Sequence, residues 1–246
     1  MDADRHSRPC NVHWSHLRRP FLTSWLFAVA VLVAPSGARA DRPTSGDMSL
    51  RSGRTLGVDE TAFAAGIGWP SLWAETVFAP SSTFNVGPRL DVLYGSPWMG
   101  VSTGVGGSVS LPMRVHVFGE KRLDLSVSIR PLAALGEGSI LGQRGVFGGN
   151  LGWTVGTEAG VLGGFQASDE VTLAFGAGGA FGYAAVPDAD DGDVLGSTFV
   201  RLGIEGLVSR DTMLFGEVIA GYGFAPDGAF DGQGIIRVSL GLAYLL

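Results

Sequence analysis

The chain has 246 residues, 39 of them glycine, with 17 basic and 23 acidic side chains for a net charge of −6. That acidic balance disfavours nucleic acid as a partner, and a single cysteine, Cys10, excludes an intrachain disulfide framework. Glycine at this frequency without a Gly/Ser linker or a three-residue period has to sit inside regular elements.

In chain order, Arg18 and Arg19 precede FLTSWLFAVAVLVA, an uncharged apolar run short of the ~20 residues that a spanning helix needs. Pro35, Ser36 and Gly37 then lead into Ala38-Arg39-Ala40. The pattern predicts a signal peptide over 1–40, with Ala38 and Ala40 as the small residues of the cleavage site. N-terminal sequencing of membrane-extracted protein is expected to begin at Asp41, and retention of 25–33 would overturn the reading. RRPFL also resembles a twin-arginine motif, but a route for folded cargo does not suit the architecture reasoned below. Cleavage after residue 40 would remove Cys10, leaving no zinc–thiolate site and no cysteine nucleophile. It would leave 12 basic against 21 acidic residues, a net charge of −9.

Residues 41–60 are polar and aperiodic and read as a flexible lead. From Thr61 the pattern changes to period two, the signature of strands with two different faces. Strands are predicted near 61–68, 71–79, 83–94, 106–118, 122–135, 149–166, 170–185, 196–208, 212–224 and 235–246. Short polar joints (80–82, 119–121, 167–169, 209–211) alternate with longer Gly/Pro/Asp-rich loops (95–104, 136–149, 186–195, 225–233). No propeller motif accompanies this spacing.

In 171–183, Val171, Leu173, Phe175, Ala177, Phe181 and Tyr183 share one face, and Thr172, Ala174, Gly176, Gly178, Ala180 and Gly182 the other. Charged residues keep to the small-residue face throughout: Glu75, Arg89, Asp91, Arg114, Asp124, Arg130, Glu158, Arg201, Glu205, Glu217 and Arg237. A soluble sandwich would turn its apolar face inward. Here the polar face carries six acids and five arginines padded with Gly, Ala and Ser, which suits an enclosed lumen, and the apolar face suits lipid. Backbone groups in lipid must all be paired, so the sheet has to close. The predicted fold is an all-β, closed antiparallel up-and-down transmembrane barrel over 61–246. It has ten strands, with eight as the alternative count. The join Trp69-Pro70-Ser71 decides parity, because a mere kink there would leave nine.

The last residues, IIRVSLGLAYLL, place Ile236, Val238, Leu240, Leu242, Tyr244 and Leu246 on one face. This strand resembles the C-terminal assembly signal of small bacterial outer-membrane β-barrel proteins, with Tyr244 and Leu246 in its key positions. Leu246 stands where those proteins prefer Phe or Trp. The resemblance covers 61–246 together with the leader. It implies the outer membrane of a Gram-negative-type envelope, surrounding lipid, and the barrel-assembly machinery as a partner during biogenesis. Short turns would then face the periplasm and long loops the exterior. Aromatic residues fall at two levels, Trp69, Tyr94, Trp98, Trp153, Tyr183 and Tyr222 near the loops and Phe78, Phe84, Phe165 and Tyr244 near the turns, as bilayer interfaces favour.

Chemistry in such a barrel would need a histidine with a serine or carboxylate. His116 is the sole histidine after residue 40. A three-residue turn at 119–121 would set it opposite Asp124 with Ser126 diagonal on the same face, an Asp–His–Ser grouping. The favoured reading is a structural hydrogen-bond cluster in a protein that is not an enzyme; the alternative is a lipid-acting hydrolase using Asp124, His116 and Ser126. Asp188, Asp190, Asp191 and Asp193 partly resemble a calcium loop but lack its closing Glu, which leaves weak divalent binding as the most they suggest. No cofactor motif is present: GAGGAFG at 176–182 lies within a strand rather than at a strand-to-helix turn. A barrel of this size is largely filled by its own side chains. The expected role is structural or surface-interacting, or a narrow solute path, and Arg201 is expected to compensate Glu205 or Glu217.

Overall fold

A computed structural model describes residues 48–97, 99, 104–137, 151–185, 193–224 and 233–246, without the side chains of Glu137, Leu151 and Asp193. Twelve strand segments follow one another along the chain. They are β1 (Thr61–Trp69), β2 (Ser71–Ser81), β3 (Phe84–Val86), β4 (Arg89–Leu93), β5 (Gly106–Ser110), β6 (Met113–Glu120), β7 (Leu123–Glu137), β8 (Leu151–Gln166), β9 (Val171–Ala185), β10 (Asp193–Leu207), β11 (Thr212–Phe224) and β12 (Gln233–Leu245).

These segments make ten barrel strands, because β3–β4 and β5–β6 are each one strand interrupted in the middle. The interruptions fall at Pro88 and Pro112, which lack the N–H that a ladder requires. Their carbonyls still serve the sheet: Thr76 N–H donates to Pro88 O at 3.0 Å and Gly87 N–H to Pro112 O at 3.2 Å. The parity question at Trp69-Pro70 is resolved by pairing. Ile67 lies opposite Leu72, so the chain reverses within 68–71 and β1 and β2 are separate strands.

Every neighbour is antiparallel, and β1 pairs with both β2 and β12. Ala62 faces Leu245, and Leu246 N–H donates to Thr61 O at 2.8 Å. The sheet therefore has no free edge, the condition for crossing lipid with strands.

Alternation then sorts the side chains. Leu90 (61% exposed), Leu202 (65%) and Leu240 (63%) point outward, with Val92, Val109, Val200, Ile204 and Leu214 beside them. Glu75, Asp91, Arg114, Asp124, Glu158 and Glu205 point inward and are buried. At the loop end Trp69 meets Tyr94 edge-on at 5.9 Å and Trp153 meets Tyr183 at 5.7 Å. Phe78, Phe165 and Tyr244 stand outward at the turn end. Trp98 lies outside the described residues.

Residues 48–56, read from their polarity as part of a flexible lead, are packed instead. Met48, Leu50 and Leu56 join Ala62, Ala64, Trp73, Met213, Phe215 and Ala243 in one buried cluster on the inner face. The segment enters the barrel and lies across its turn end. Its polarity misled because its surroundings are polar too.

Candidate functional site

The inward-facing residues and this N-terminal segment form one site. Glu205 anchors the segment: Oε1 accepts from the backbone N–H groups of Leu50 (2.8 Å) and Arg51 (2.5 Å), and Oε2 accepts from Ser49 Oγ (2.7 Å). Successive N–H groups converging on one carboxylate make a small anion nest. From the opposite wall Arg114 donates to the carbonyls of Ser52 (2.8 Å) and Ser49 (3.0 Å). Arg54 donates to Asp124 (2.5 Å) and Gln166 (2.9 Å), and Leu56 N–H reaches Asn85 Oδ1 at 3.3 Å. The segment thus uses both its backbone and its side chains to fill the turn end.

Fit at this end depends on small residues. A Cβ at Gly164 would stand 2.7 Å from Ser52 Cβ, so a side chain there would push the segment out.

Above the segment the charges form a network. Arg51 pairs with Glu75 at 2.8 Å, and Arg89 bridges Glu75 (3.8 Å) and Asp91 (2.7 Å). The guanidinium of Arg51 lies 4.5 Å and that of Arg89 4.4 Å from the Trp73 ring, with Arg51 also 4.8 Å from Phe215. Such contacts hold a desolvated cation in a defined place. Glu158 collects three arginines: Arg130 at 2.7 Å, Arg237 at 3.0 Å and Arg201 at 3.3 Å. Arg201 also reaches Glu217 at 3.3 Å.

Each of these eleven charged strand residues has an ion-pair or hydrogen-bond partner among the inward-facing groups, and two details stand out. Arg201 pairs with Glu217, one of the two carboxylates expected for it, and also with Glu158, whereas the partners of Glu205 come from the N-terminal segment. And Arg51 and Arg54 add two cations that the alternation could not reveal, because they precede the first strand. Among the described residues the lumen holds seven arginines (51, 54, 89, 114, 130, 201, 237) and six carboxylates (75, 91, 124, 158, 205, 217).

The His116 grouping is assembled differently from the expected register. A bulge at Val117 turns both Val117 and Phe118 outward and shifts the pairing by one. The turn comprises Lys121 and Arg122 only, with Lys121 at a φ of 48°. His116 consequently lies opposite Ser126, and Asp124 opposite Gly119. Asp124 still approaches His116 Nε2 at 3.5 Å, across the space a side chain at position 119 would take: a Cβ there would meet Asp124 Oδ1 at 2.9 Å and His116 Cε1 at 3.0 Å. Asp124 is engaged by Arg54, and Ser126 Oγ is fully buried with no hydrogen-bond partner. A nucleophile must be bonded to its base and reachable by substrate. Ser126 meets neither condition.

Asp188, Asp190 and Asp191 lie outside the described residues, as does the side chain of Asp193. Among the described residues no group of three or more His, Cys, Asp or Glu is placed to hold a metal ion.

Neither a protein-family model nor a curated protein matches this chain. Solved structures do match. Ail, the attachment invasion locus protein of Yersinia pestis, is 12% identical over 77% of this chain and 99% of its own, with a TM-score of 0.38. An outer membrane channel from Pseudomonas putida F1 is 12% identical over 81% of this chain and 100% of its own, with a TM-score of 0.41. The outer membrane protease OmpT from Escherichia coli is 10% identical over 82% and 100%, with a TM-score of 0.35. Against longer matched barrels the chain spans 61% or 62% of their length. At such identities the likeness concerns the fold alone.

The class is defined by the molecule's own surface. A closed ten-stranded antiparallel barrel, apolar outside and ionic within, fits lipid and no other solvent. The protein is a transmembrane β-barrel.

Proposed function

We propose that this protein is a filled barrel that works through its loop face, as a structural or surface-interacting component of the envelope, rather than a diffusion pore. The observation that carries the reading is residues 48–56 lying inside the lumen, clamped by Glu205, Arg114, Arg51 and Arg54. Among the described residues, a cavity of about 120 Å³ lies beside that segment and the ion pairs. The connections support it as well. Two or four residues join the strands at the turn end, whereas 94–105, 138–150, 186–192 and 225–232 at the other end are long enough to carry recognition.

A signal peptide over 1–40, a periplasmic turn end and delivery by the barrel-assembly machinery through Tyr244 and Leu246 belong to the same proposal. Hydrolysis is the less favoured reading, because Ser126 is fully buried and its Oγ is not bonded to His116.

Planar-bilayer recording tests the reading. Purified wild type is expected to show no large steady conductance, and the same preparation to release no fatty acid from phospholipid vesicles. Wide, stable channels would contradict a filled lumen, and fatty-acid release abolished by Ser126→Ala would move the protein into the enzyme class.

A further inference from the structure

The lumen cavity has one feature that the filled-barrel reading does not use: its charges do not cancel. Arg51 and Arg89 are matched by Glu75 and Asp91. On the adjoining wall, three guanidiniums, from Arg130, Arg201 and Arg237, face two carboxylates, Glu158 and Glu217. Among the described residues this leaves one positive charge in excess, beside a cavity that all five of these side chains line.

The hydrogen-bonding count points the same way. Each guanidinium carries five N–H donors and no acceptor. Glu158 takes one nitrogen from each arginine. The Nε atoms of Arg130, Arg201 and Arg237 are buried with no hydrogen-bond partner, as is Nε of Arg51 on the opposite wall. Arg201 Nε is 3.3 Å from Glu217 Oε2, but both atoms lack a well-aligned hydrogen bond. Buried charged donors without acceptors are unfavourable. Water would satisfy the donors and leave the charge. An anion with several oxygens satisfies both, and planar guanidinium forks match carboxylate and phosphate geometry. On the same measure one water needs about 10–15 Å³, so 120 Å³ admits a small oxyanion with some hydration.

We infer that the lumen holds a binding site for one small oxyanion, a phosphate or a carboxylate, formed by Arg130, Arg201 and Arg237 around Glu158. Access is from the side away from the N-terminal segment: side-chain exposure falls from 23% at Arg237 and 20% at Arg130 to 13% at Arg201 and 10% at Arg51.

The test uses the full barrel folded in detergent. Its unfolding midpoint is followed as sodium phosphate, sodium succinate or sodium chloride is added at matched ionic strength. A ligand that binds only the folded state raises the midpoint saturably. Phosphate or succinate is expected to do so beyond chloride, and whichever succeeds identifies the class. Arg237→Gln is expected to raise the half-saturating concentration about tenfold or more, as loss of a charged hydrogen bond implies. Calorimetric titration of wild type gives the stoichiometry independently of any variant and is expected to find one anion per chain. The inference is overturned if neither oxyanion exceeds chloride on wild type, or if Arg237→Gln folds and binds as wild type does. Neither outcome depends on whether the barrel conducts.

Discussion

Glu158→Ala is expected to lower the stability of the folded barrel by about 3–5 kcal/mol, the cost of removing one partner from a buried ion pair. The effect is large because one carboxylate serves three cations. Arg130, Arg237 and Arg201 lie within 3.3 Å of it, and among the described residues Glu217 is then the one carboxylate still ion-paired with any of them, through Arg201. Three positive charges would then repel across a narrow lumen in a medium that screens them poorly. Glu158→Gln, which keeps the shape and loses the charge, should be nearly as unfavourable, whereas a cavity-only effect would be largely repaired by it. Urea unfolding of the barrel in lipid bilayers reads the difference. A midpoint unchanged in both variants would mean that this face is bathed in bulk water.

Glu205→Ala is expected to release the N-terminal segment without dismantling the barrel. The carboxylate is 2% exposed and holds Ser49 Oγ and two backbone N–H groups, and among the described residues those two N–H groups have no other acceptor. Losing such contacts costs about 3 kcal/mol, which multiplies the released population about a hundredfold. Proteolysis of a transiently opened segment follows that population. Trypsin should therefore leave the bonds after Arg51 and Arg54 intact in folded wild type and cut them rapidly in the variant. Equal cutting in both proteins would show the segment to be outside the lumen.

The barrel was legible from residue 61 onward because lipid and lumen impose opposite demands on alternate residues. Leu173, Phe175 and Phe181 against Ala174, Gly176 and Gly182 leave little freedom in assigning faces, and the charges of 75–237 follow the same rule. Three things were not legible. The bulge at Val117 adds one residue without altering composition, so the pairing of His116 shifted from Asp124 to Ser126 unseen. The interruptions at Pro88 and Pro112 divide strands whose alternation continues through them. The N-terminal segment has no period to detect, since its backbone is held by Glu205, Arg114 and Asn85 rather than by a ladder. A hint did exist: the strand faces alone carry six carboxylates and five arginines, one cation short. Arg51 and Arg54 more than make up that deficit, and the excess they create lies beside the lumen cavity.

The central claim, that residues 48–56 occupy the lumen of a closed barrel, is tested most directly by a disulfide between Ser52→Cys and Gly164→Cys. A Cβ at position 164 would meet Ser52 Cβ at 2.7 Å, and a small relaxation reaches the ~3.8 Å that a disulfide requires. Gly163, the next residue of β8, faces outward against the Phe175 ring and supplies the control. The S52C/G164C protein is expected to cross-link on mild oxidation after folding and to migrate faster on denaturing gels until reduced, while S52C/G163C stays open. Failure of the first pair to link, or equal linking of both, would contradict the placement of the segment inside the barrel.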